Sequence, residues 1–157
     1  MIRFETEIEG DWPDGADALP ERCAAALRGL DLEEALDGEV SVLFTDDEAV
    51  RKLNRDWRGK DRPTNVLSFP AEPVPGLPDD AQPLGDLALA WETCAREAAE
   101  RGVAPLDHTA HLLVHGLLHL LGYDHRDGEE ALAMEALEAR AMAALGLHAP
   151  YDQPPAD

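Results

Sequence analysis

Short strand-like segments alternate with helix-like segments along most of the chain, and their order limits the possible folds. Apolar and polar residues alternate over 2–9, as in a half-buried strand, and short strand-like runs also cover 39–45, 65–69 and 84–90. Helical spacing predicts helices over 18–30, from about 46 to 57, and over 91–101, 105–121 and 129–145. The order β-α-β-α-β-β-α-α-α predicts an α+β fold with one four-stranded mixed sheet and about five helices.

Glycine and proline mark the limits of these segments. Gly102 and Gly122 are placed to end the helices that precede them. The Pro-rich stretch 71–83 is typical of an exposed loop, and the Pro-rich end, 149–157, is typical of a disordered tail. We therefore predict a single domain over residues 1–148.

The charge of the chain is unevenly distributed. There are 33 acidic and 13 basic residues, a formal net charge of −20, and such a surface repels nucleic acid at long range. Residues 51–62, however, hold six of the basic side chains and only two of the acidic ones. This basic segment is either a solvated helix face or a place where a polyanion docks on an otherwise acidic body.

The sequence also bears on the cellular compartment. No apolar run is long enough to span a bilayer, and the first residues lack the basic and apolar regions of a signal peptide. We therefore expect a cytoplasmic protein with no membrane partner. Cys23 and Cys94 lie far apart in helix-like segments, and we expect them to be reduced.

Four of the six histidines fall within the predicted helix 105–121, and a fifth, His125, follows it closely. His115 and His119 are four residues apart and therefore face the same side of a helix. Gly122 suits the left-handed conformation that turns the chain back, which would bring His125 toward the two helical imidazoles. Three nitrogen ligands with one open position are typical of a catalytic zinc site.

The same offsets occur in the metzincin proteases, whose pattern is H-E-x-x-H-x-x-G-x-x-H. In that pattern a glutamate follows the first histidine and deprotonates the zinc-bound water. Gly116 stands at that position here. The spacing therefore favours a metal site, whereas the glycine argues against peptide hydrolysis by that mechanism.

The sequence leaves the roles of some neighbouring side chains open. His111 lies one turn before His115, and it is a fourth ligand, a hydrogen-bond partner of a ligand or a packing residue. Asp124 is either a carboxylate that orients a ligand imidazole or a turn residue that accepts local backbone hydrogen bonds. His108 is expected at the surface or at the helix start.

Three stretches of the chain, in order, resemble one known family. Residues 115–125, HGLLHLLGYDH, are similar to the H-G-x-L-H-L-x-G-Y-D-H signature of the YbeY-type bacterial endoribonucleases, the rRNA maturation factors. Residues 54–70, NRDWRGKDRPTNVLSFP, resemble the family's N-x-x-x-R-x-x-x-x-P-T-[DN]-V-L-S-F-P stretch, and 84–87, LGDL, resemble its L-G-D-I. Asn65 stands where the family often has aspartate.

The resemblance implies a single α+β domain that holds one zinc ion, or another divalent transition metal, on His115, His119 and His125. It further implies cleavage of single-stranded RNA, maturation of the 3′ end of small-subunit rRNA and a part in ribosome quality control. The small ribosomal subunit would be a partner, and no DNA substrate is expected. The arginine matched to the family's active cleft is Arg58.

The resulting hypothesis is metal-assisted cleavage of a phosphodiester bond. Arg58 would pair with a phosphate and stabilise charge in the transition state, because guanidinium presents a rigid fork to two oxygens. The remaining candidates for contact with the RNA backbone are Arg51, Arg55, Lys60 and Arg62. Trp57 is expected in the core rather than stacked on a base.

Two other functions are consistent with the same residues. One is a metal-dependent hydrolase of another substrate, such as a peptide or an amide. The other is a non-catalytic ribosome-associated factor in which zinc is structural. An open coordination position separates the second from an enzyme, because structural zinc sites are normally closed by protein ligands.

Overall fold

The computed structural model describes residues 1–30, 32, 36–123 and 127–150. Its elements follow the predicted order and confirm the α+β class. The strands are β1 (Ile2–Ile8), β2 (Gly38–Thr45), β3 (Val66–Pro70) and β4 (Pro83–Ala90). The helices are α1 (Leu19–Arg28), α2 (Asp47–Arg58), α3 (Trp91–Arg101), α4 (Pro105–Leu120) and α5 (Gly128–Ala144). Of the predicted disordered tail, 151–157 lies outside the described residues.

The four strands form one mixed sheet, as predicted, and their order across it is β1-β2-β4-β3. β1 pairs with β2, and β2 with β4, in parallel. A parallel pair needs a long crossover connection, which α1 supplies between β1 and β2. β3 runs antiparallel to β4 and forms one edge of the sheet. One side of β3 is therefore available to border a cleft.

Alternate residues of each strand face opposite sides of the sheet, and both sides are covered in part by helices. The larger core lies between the sheet and the helices α1, α4 and α5, and it buries Phe44, Leu87 and Leu89. A smaller core lies on the other side, under α2, around Val50 and Leu67. α4 is central to the larger layer, since it contacts α1, α3, α5, β3 and β4. This packing places the histidines of α4 beside the edge strand.

The predicted position is wrong for Trp57, whereas His108 lies at the predicted helix start but is buried. Trp57, expected in the core, is 74% exposed, because α2 makes its apolar contacts with the sheet through Val50 and Leu53, nearer its start. His108, expected at the surface or at the helix start, does lie in the first turn of α4 but is only 1% exposed. Glu97 of α3 covers its ring and forms a hydrogen bond with it.

The two cysteines are free and buried, in agreement with the expected reduced pair. Burial raises the pKa of both thiols, Cys23 and Cys94, to about 12, so neither is a reactive thiolate at neutral pH. Among the described helices, none combines the length and the apolar character needed to cross a bilayer.

Candidate functional site

A cleft of about 550 Å³ lies between the edge strand β3 and one side of α4. The last residues of α2 and α3 contribute to its walls, and each of these residues is an arginine. The polar residues that line the cleft are Arg58, Asn65, Ser68, Arg101, His108, His111, His115 and His119. The fold thus collects imidazole and guanidinium groups from three helices, α2, α3 and α4, in one place.

A larger groove, of about 680 Å³, lies on the opposite side of the sheet. Its charged lining is acidic, from Glu5, Glu7 and Asp86, and Trp57 borders it. The groove lining contains neither histidine nor arginine. We therefore assign the candidate site to the histidine-lined cleft rather than to the larger groove.

The spacing of three and four residues places four histidines of α4 along its cleft side. The rings of His115 and His119 pack edge to face, with centroids 4.6 Å apart and planes at 80°. Their Nε2 atoms are 3.1 Å apart. Both rings therefore direct the same nitrogen toward a common point in the cleft.

The separation of these two nitrogens fits a shared metal ion. Zinc binds histidine nitrogen at about 2.0–2.1 Å, so a tetrahedral ion holds two such nitrogens roughly 3.3 Å apart. Imidazole is also a donor that zinc and neighbouring transition metals prefer. Within the described residues, no group of three histidine, cysteine or acidic side chains is arranged to hold a metal. The predicted third ligand, His125, and the candidate partner Asp124 lie outside the described residues.

The end of α4 has the turn that the sequence predicts. Gly122 has a φ of +102°, a left-handed conformation that favours glycine. The backbone N–H groups of Gly122 and Tyr123 donate to the carbonyl oxygens of His119 and Leu118, each at 3.0 Å. The helix therefore ends within one turn of His119, and the chain changes direction there.

His111 forms a hydrogen bond to a carboxylate that the sequence analysis did not single out. Its Nε2 lies 2.7 Å from Oε1 of Glu138, and Nδ1 of His115 lies 3.2 Å from Oε2 of the same group. Glu138 belongs to α5 and is 1% exposed. One feature of the sequence could have identified Glu138. It is an acidic residue on the buried stripe of α5, which otherwise consists of Met134, Ala141 and Met142.

A second carboxylate, Glu97 of α3, anchors the other end of the cleft. Its Oε1 accepts hydrogen bonds from Nδ2 of Asn65 at 2.9 Å and from Nε2 of His108 at 2.8 Å. Burial opposes ionisation of Glu97, but these two hydrogen bonds outweigh it and hold its pKa below the usual value. Burial lowers the pKa of His108. Asn65, which directly precedes β3, thus ties the start of that strand to α3.

The two arginines of the cleft occupy equivalent local positions. Arg58 is the last residue of α2 and Arg101 the last of α3, and each precedes a glycine with positive φ, Gly59 at +71° and Gly102 at +70°. Both side chains are exposed. Arg101 was not among the predicted site residues, although an arginine before a helix-ending glycine is the signal that it shares with Arg58.

The other basic residues predicted to contact RNA lie outside this lining. Arg51 is ion-paired with Glu48 and Asp61, and Arg55 with the residue that follows it. The two remaining candidates are exposed: Lys60 and Arg62. The positive charge of the basic segment is therefore partly neutralised by its own acidic neighbours, whereas Arg58 is the member that reaches the cleft.

Gly116 faces the sheet rather than the cleft. A Cβ at this position would lie 2.8 Å from Cδ2 of the buried Leu87 and 3.4 Å from Oγ of Ser68. The absence of a side chain therefore lets α4 approach the sheet closely. A glutamate at this position, as in metzincins, would place its Cβ against the buried Leu87.

We expect Gly116→Glu to lower the free energy of unfolding by more than about 3 kcal/mol, because it places an unpaired carboxylate against Leu87. Gly128→Glu is the matched control. It lies at the start of α5 with open space around it, where an acidic residue suits the helix dipole, and should change stability by less than about 1 kcal/mol. Denaturant unfolding of both variants measures the difference. Equal stabilities would show that position 116 does not face the core.

Comparisons with known proteins agree with the resemblance seen in the sequence. Residues 13–146 match the family model described as Endoribonuclease YbeY. Endoribonuclease YbeY of Paramagnetospirillum magneticum is 48% identical over 162 residues, which cover 97% of this chain and 98% of that protein. Endoribonuclease YbeY of Erythrobacter litoralis is 51% identical over 160 residues, covering 96% and 98% of the two chains.

One solved structure shares the fold. The solution structure of TM1509 from Thermotoga maritima matches with a TM-score of 0.58 and 22% identity, over 100% of this chain and 99% of that one. This likeness supports the architecture alone. The family model and the relatives together cover nearly the whole chain. The chain therefore belongs to the endoribonuclease YbeY family.

Proposed function

We propose that this protein is a metal-dependent endoribonuclease that cleaves single-stranded RNA, with zinc or another divalent transition metal held by His115, His119 and His125. The observation that carries the proposal is the convergence of two imidazole nitrogens in a cleft that also contains Arg58. A metal ion bound there supplies positive charge and Lewis acidity toward a phosphoryl oxygen and a water molecule. Membership of the YbeY family supports the endoribonuclease activity.

Arg58 is proposed to bind the phosphate at which cleavage occurs. It is the last residue of α2, where the N–H of Gly59 donates to the Arg55 carbonyl oxygen at 3.1 Å and closes the helix end. Its exposed guanidinium is able to form two parallel hydrogen bonds with phosphate oxygens. Charge that develops on those oxygens in the transition state would be stabilised by the same contact.

Arg101 is proposed to bind a neighbouring phosphate of the same strand. It enters the cleft from α3, whereas Arg58 enters from α2, so two guanidiniums are available to one RNA backbone. The rest of the molecule is strongly acidic, with a net charge of −20 for the whole chain. The acidic body would repel RNA elsewhere and thereby favour binding in the cleft.

The biological substrate follows from the family resemblance. We propose that the enzyme matures the 3′ end of small-subunit rRNA, takes part in ribosome quality control and meets the small ribosomal subunit in the cytoplasm. A peptide or amide substrate is disfavoured because position 116, where metzincins have the glutamate that acts as the base, is a glycine packed against Leu87.

The proposal is tested with purified protein and an RNA that carries the 3′ end of small-subunit rRNA with its downstream extension. We expect cleavage of the single strand, loss of cleavage in the presence of a chelator, and little cleavage of the same sequence paired in a duplex. The alternative is a non-catalytic factor with structural zinc. Such a protein would keep its zinc in the chelator, would still bind RNA, and would not cleave RNA at any metal concentration. Absence of cleavage at every metal concentration would overturn the enzymatic proposal.

RNA affinity should fall with increasing salt, because each phosphate contact on a single strand contributes a slope of about 0.7 to the dependence of log affinity on log salt concentration. Arg101→Ala should reduce this slope by about one such contribution. The control is Arg3→Ala, an arginine that pairs with Glu39 at the opposite edge of the sheet and should leave the slope unchanged. Filter-binding titrations at several salt concentrations provide the slopes. An Arg101→Ala slope equal to wild type would remove Arg101 from the proposed RNA contacts.

A further inference from the structure

Glu138 is the one acidic side chain that is fully buried among the residues that the structure describes. The chain has 33 acidic residues, and Glu138 lies in the middle of α5 with 1% of its surface exposed. A buried carboxylate is strongly unfavourable unless it is paired and hydrogen-bonded. Its partners therefore indicate why the charge is kept in the interior.

Two hydrogen-bond partners of Glu138 are histidines of α4. Oε1 of Glu138 lies 2.7 Å from Nε2 of His111, and Oε2 lies 3.2 Å from Nδ1 of His115. A carboxylate accepts hydrogen bonds, so both ring nitrogens carry the hydrogen. A neutral His115 ring with its hydrogen on Nδ1 has its lone pair on Nε2. That Nε2 is the atom 3.1 Å from Nε2 of His119.

We infer that Glu138 is a positioning residue that fixes the tautomer and the ring orientation of His115, so that the Nε2 lone pair points to the metal. The inference rests on the proposed function, since it requires a metal between His115 and His119. Metal-binding histidines commonly donate their other ring N–H to a carboxylate, which orients the ring and makes it a better ligand. Here that carboxylate comes from α5, the next helix along the chain.

His111 holds the carboxylate in place for this contact. Its ring is 4% exposed, and its hydrogen bond to Oε1 leaves Oε2 directed at His115. Among the roles that the sequence left open for His111, this arrangement favours a residue that holds the carboxylate bonded to a proposed ligand. In glutamine at position 138 an NH2 donor replaces one of the two carboxylate oxygens, so in this geometry one of the two imidazoles loses its acceptor.

The negative charge of Glu138, like its hydrogen bond, should strengthen metal binding at His115. The carboxylate bonds the Nδ1 side of His115, and the proposed metal lies on the Nε2 side. Charges interact more strongly in the interior than in water. A divalent cation at the nitrogen pair therefore offsets the buried negative charge across the ring, and a neutral residue at 138 loses that attraction.

The test measures zinc affinity by competition with a chelator, for wild type, Glu138→Gln and Glu138→Met. We expect both variants to bind one zinc ion about 10–100-fold more weakly than wild type. Glu135→Gln is the matched control, because it removes one negative charge from the same helix at a partly exposed position. It should bind zinc as wild type does.

Nitrogen-15 NMR of the imidazoles in metal-free protein provides a readout that does not depend on zinc or cleavage. Wild-type His115 should carry its hydrogen on Nδ1, and both neutral Glu138 variants should shift His115 toward the other tautomer.

Glu138→Asp keeps the charge but shortens the side chain, so its zinc affinity should lie between those of wild type and Glu138→Gln. It also serves as the folded comparison if the two neutral variants do not fold.

The outcomes separate this inference from the proposed function. If wild type binds one zinc ion that His119→Ala loses, while the Glu138 variants keep wild-type affinity and the wild-type tautomer, the positioning role is overturned and the metal site stands. A lower melting temperature with unchanged affinity and tautomer likewise shows a structural role only. If wild type binds no zinc, both the proposed function and this inference fail. They also fail if His115→Ala and His119→Ala bind zinc as tightly as wild type does.

Discussion

Replacing His119 with alanine is expected to abolish RNA cleavage. His119 Nε2 is one of the two nitrogens that converge in the cleft, and without it the proposed ion loses a ligand. A catalytic metal contributes several kcal/mol of transition-state stabilisation, which corresponds to a loss of more than about 10³-fold in rate. We expect cleavage at saturating RNA to fall below detection, and the metal content of the purified protein to fall with it.

The fold should survive this substitution. His119 lies near the end of α4 and is only partly buried, and alanine is the best helix former. Circular dichroism and the melting temperature of the metal-free proteins check this directly. A His119→Ala protein that is folded, holds one equivalent of metal and cleaves at the wild-type rate would show that the metal site has been assigned to the wrong residues.

Arg58→Ala is expected to lower the cleavage rate about 10²–10³-fold at saturating RNA, since it removes a charged donor aimed at charge that develops during the reaction. RNA affinity should fall much less, because Arg101 still lines the cleft and only one of several phosphate contacts is lost. Single-turnover assays separate the two effects, since the rate at saturation reports the chemical step and the midpoint reports binding.

Two companion variants sharpen this result. Arg58→Lys keeps the positive charge but loses the planar fork, so it should recover affinity more than rate. Arg3→Ala removes the same charge at the far edge of the sheet and should match wild type in both. Arg58→Ala with a wild-type rate and weakened binding would make Arg58 a binding residue and would contradict its role in the transition state.

The secondary structure could be predicted because its signals are local. The alternation over 2–9 corresponds to β1, and the glycines at 102 and 122 do end α3 and α4 through positive φ. The order of elements, and with it the mixed four-stranded sheet, follows from such segments taken in turn. Differences from the predicted limits amount to one or two residues, where helix and strand ends fray.

Burial was harder to predict because periodicity does not show which element covers a given side chain. Trp57 continues the apolar stripe of Val50 and Leu53, yet it is 74% exposed beside the open groove of the sheet. His108 is polar and lies near a helix start, yet Glu97 of α3 covers it. In both cases the decisive contact joins residues from different elements, which a single stretch of sequence does not reveal.

In the site, too, features within one helix were predictable and contacts between helices were not. The spacing of His115 and His119 was enough to predict that both side chains face the same side of one helix, and their Nε2 atoms lie 3.1 Å apart. Glu138 lies 23 residues after His115, and nothing in its own helix distinguishes it from Glu135 except its place on the buried stripe. Its contact with both histidines depends on how α5 crosses α4, which is set by tertiary packing.

The central claim is that one metal ion in this cleft is required for RNA cleavage, and a metal titration tests it most directly. Protein freed of metal by chelation is mixed with increasing zinc, and the single-turnover cleavage rate is measured together with the bound zinc. The proposed mechanism predicts no cleavage by metal-free protein and a rate that rises in proportion to bound zinc up to one equivalent per chain. Cleavage at the full rate by metal-free protein, or a fully zinc-loaded protein that does not cleave single-stranded RNA, would contradict it.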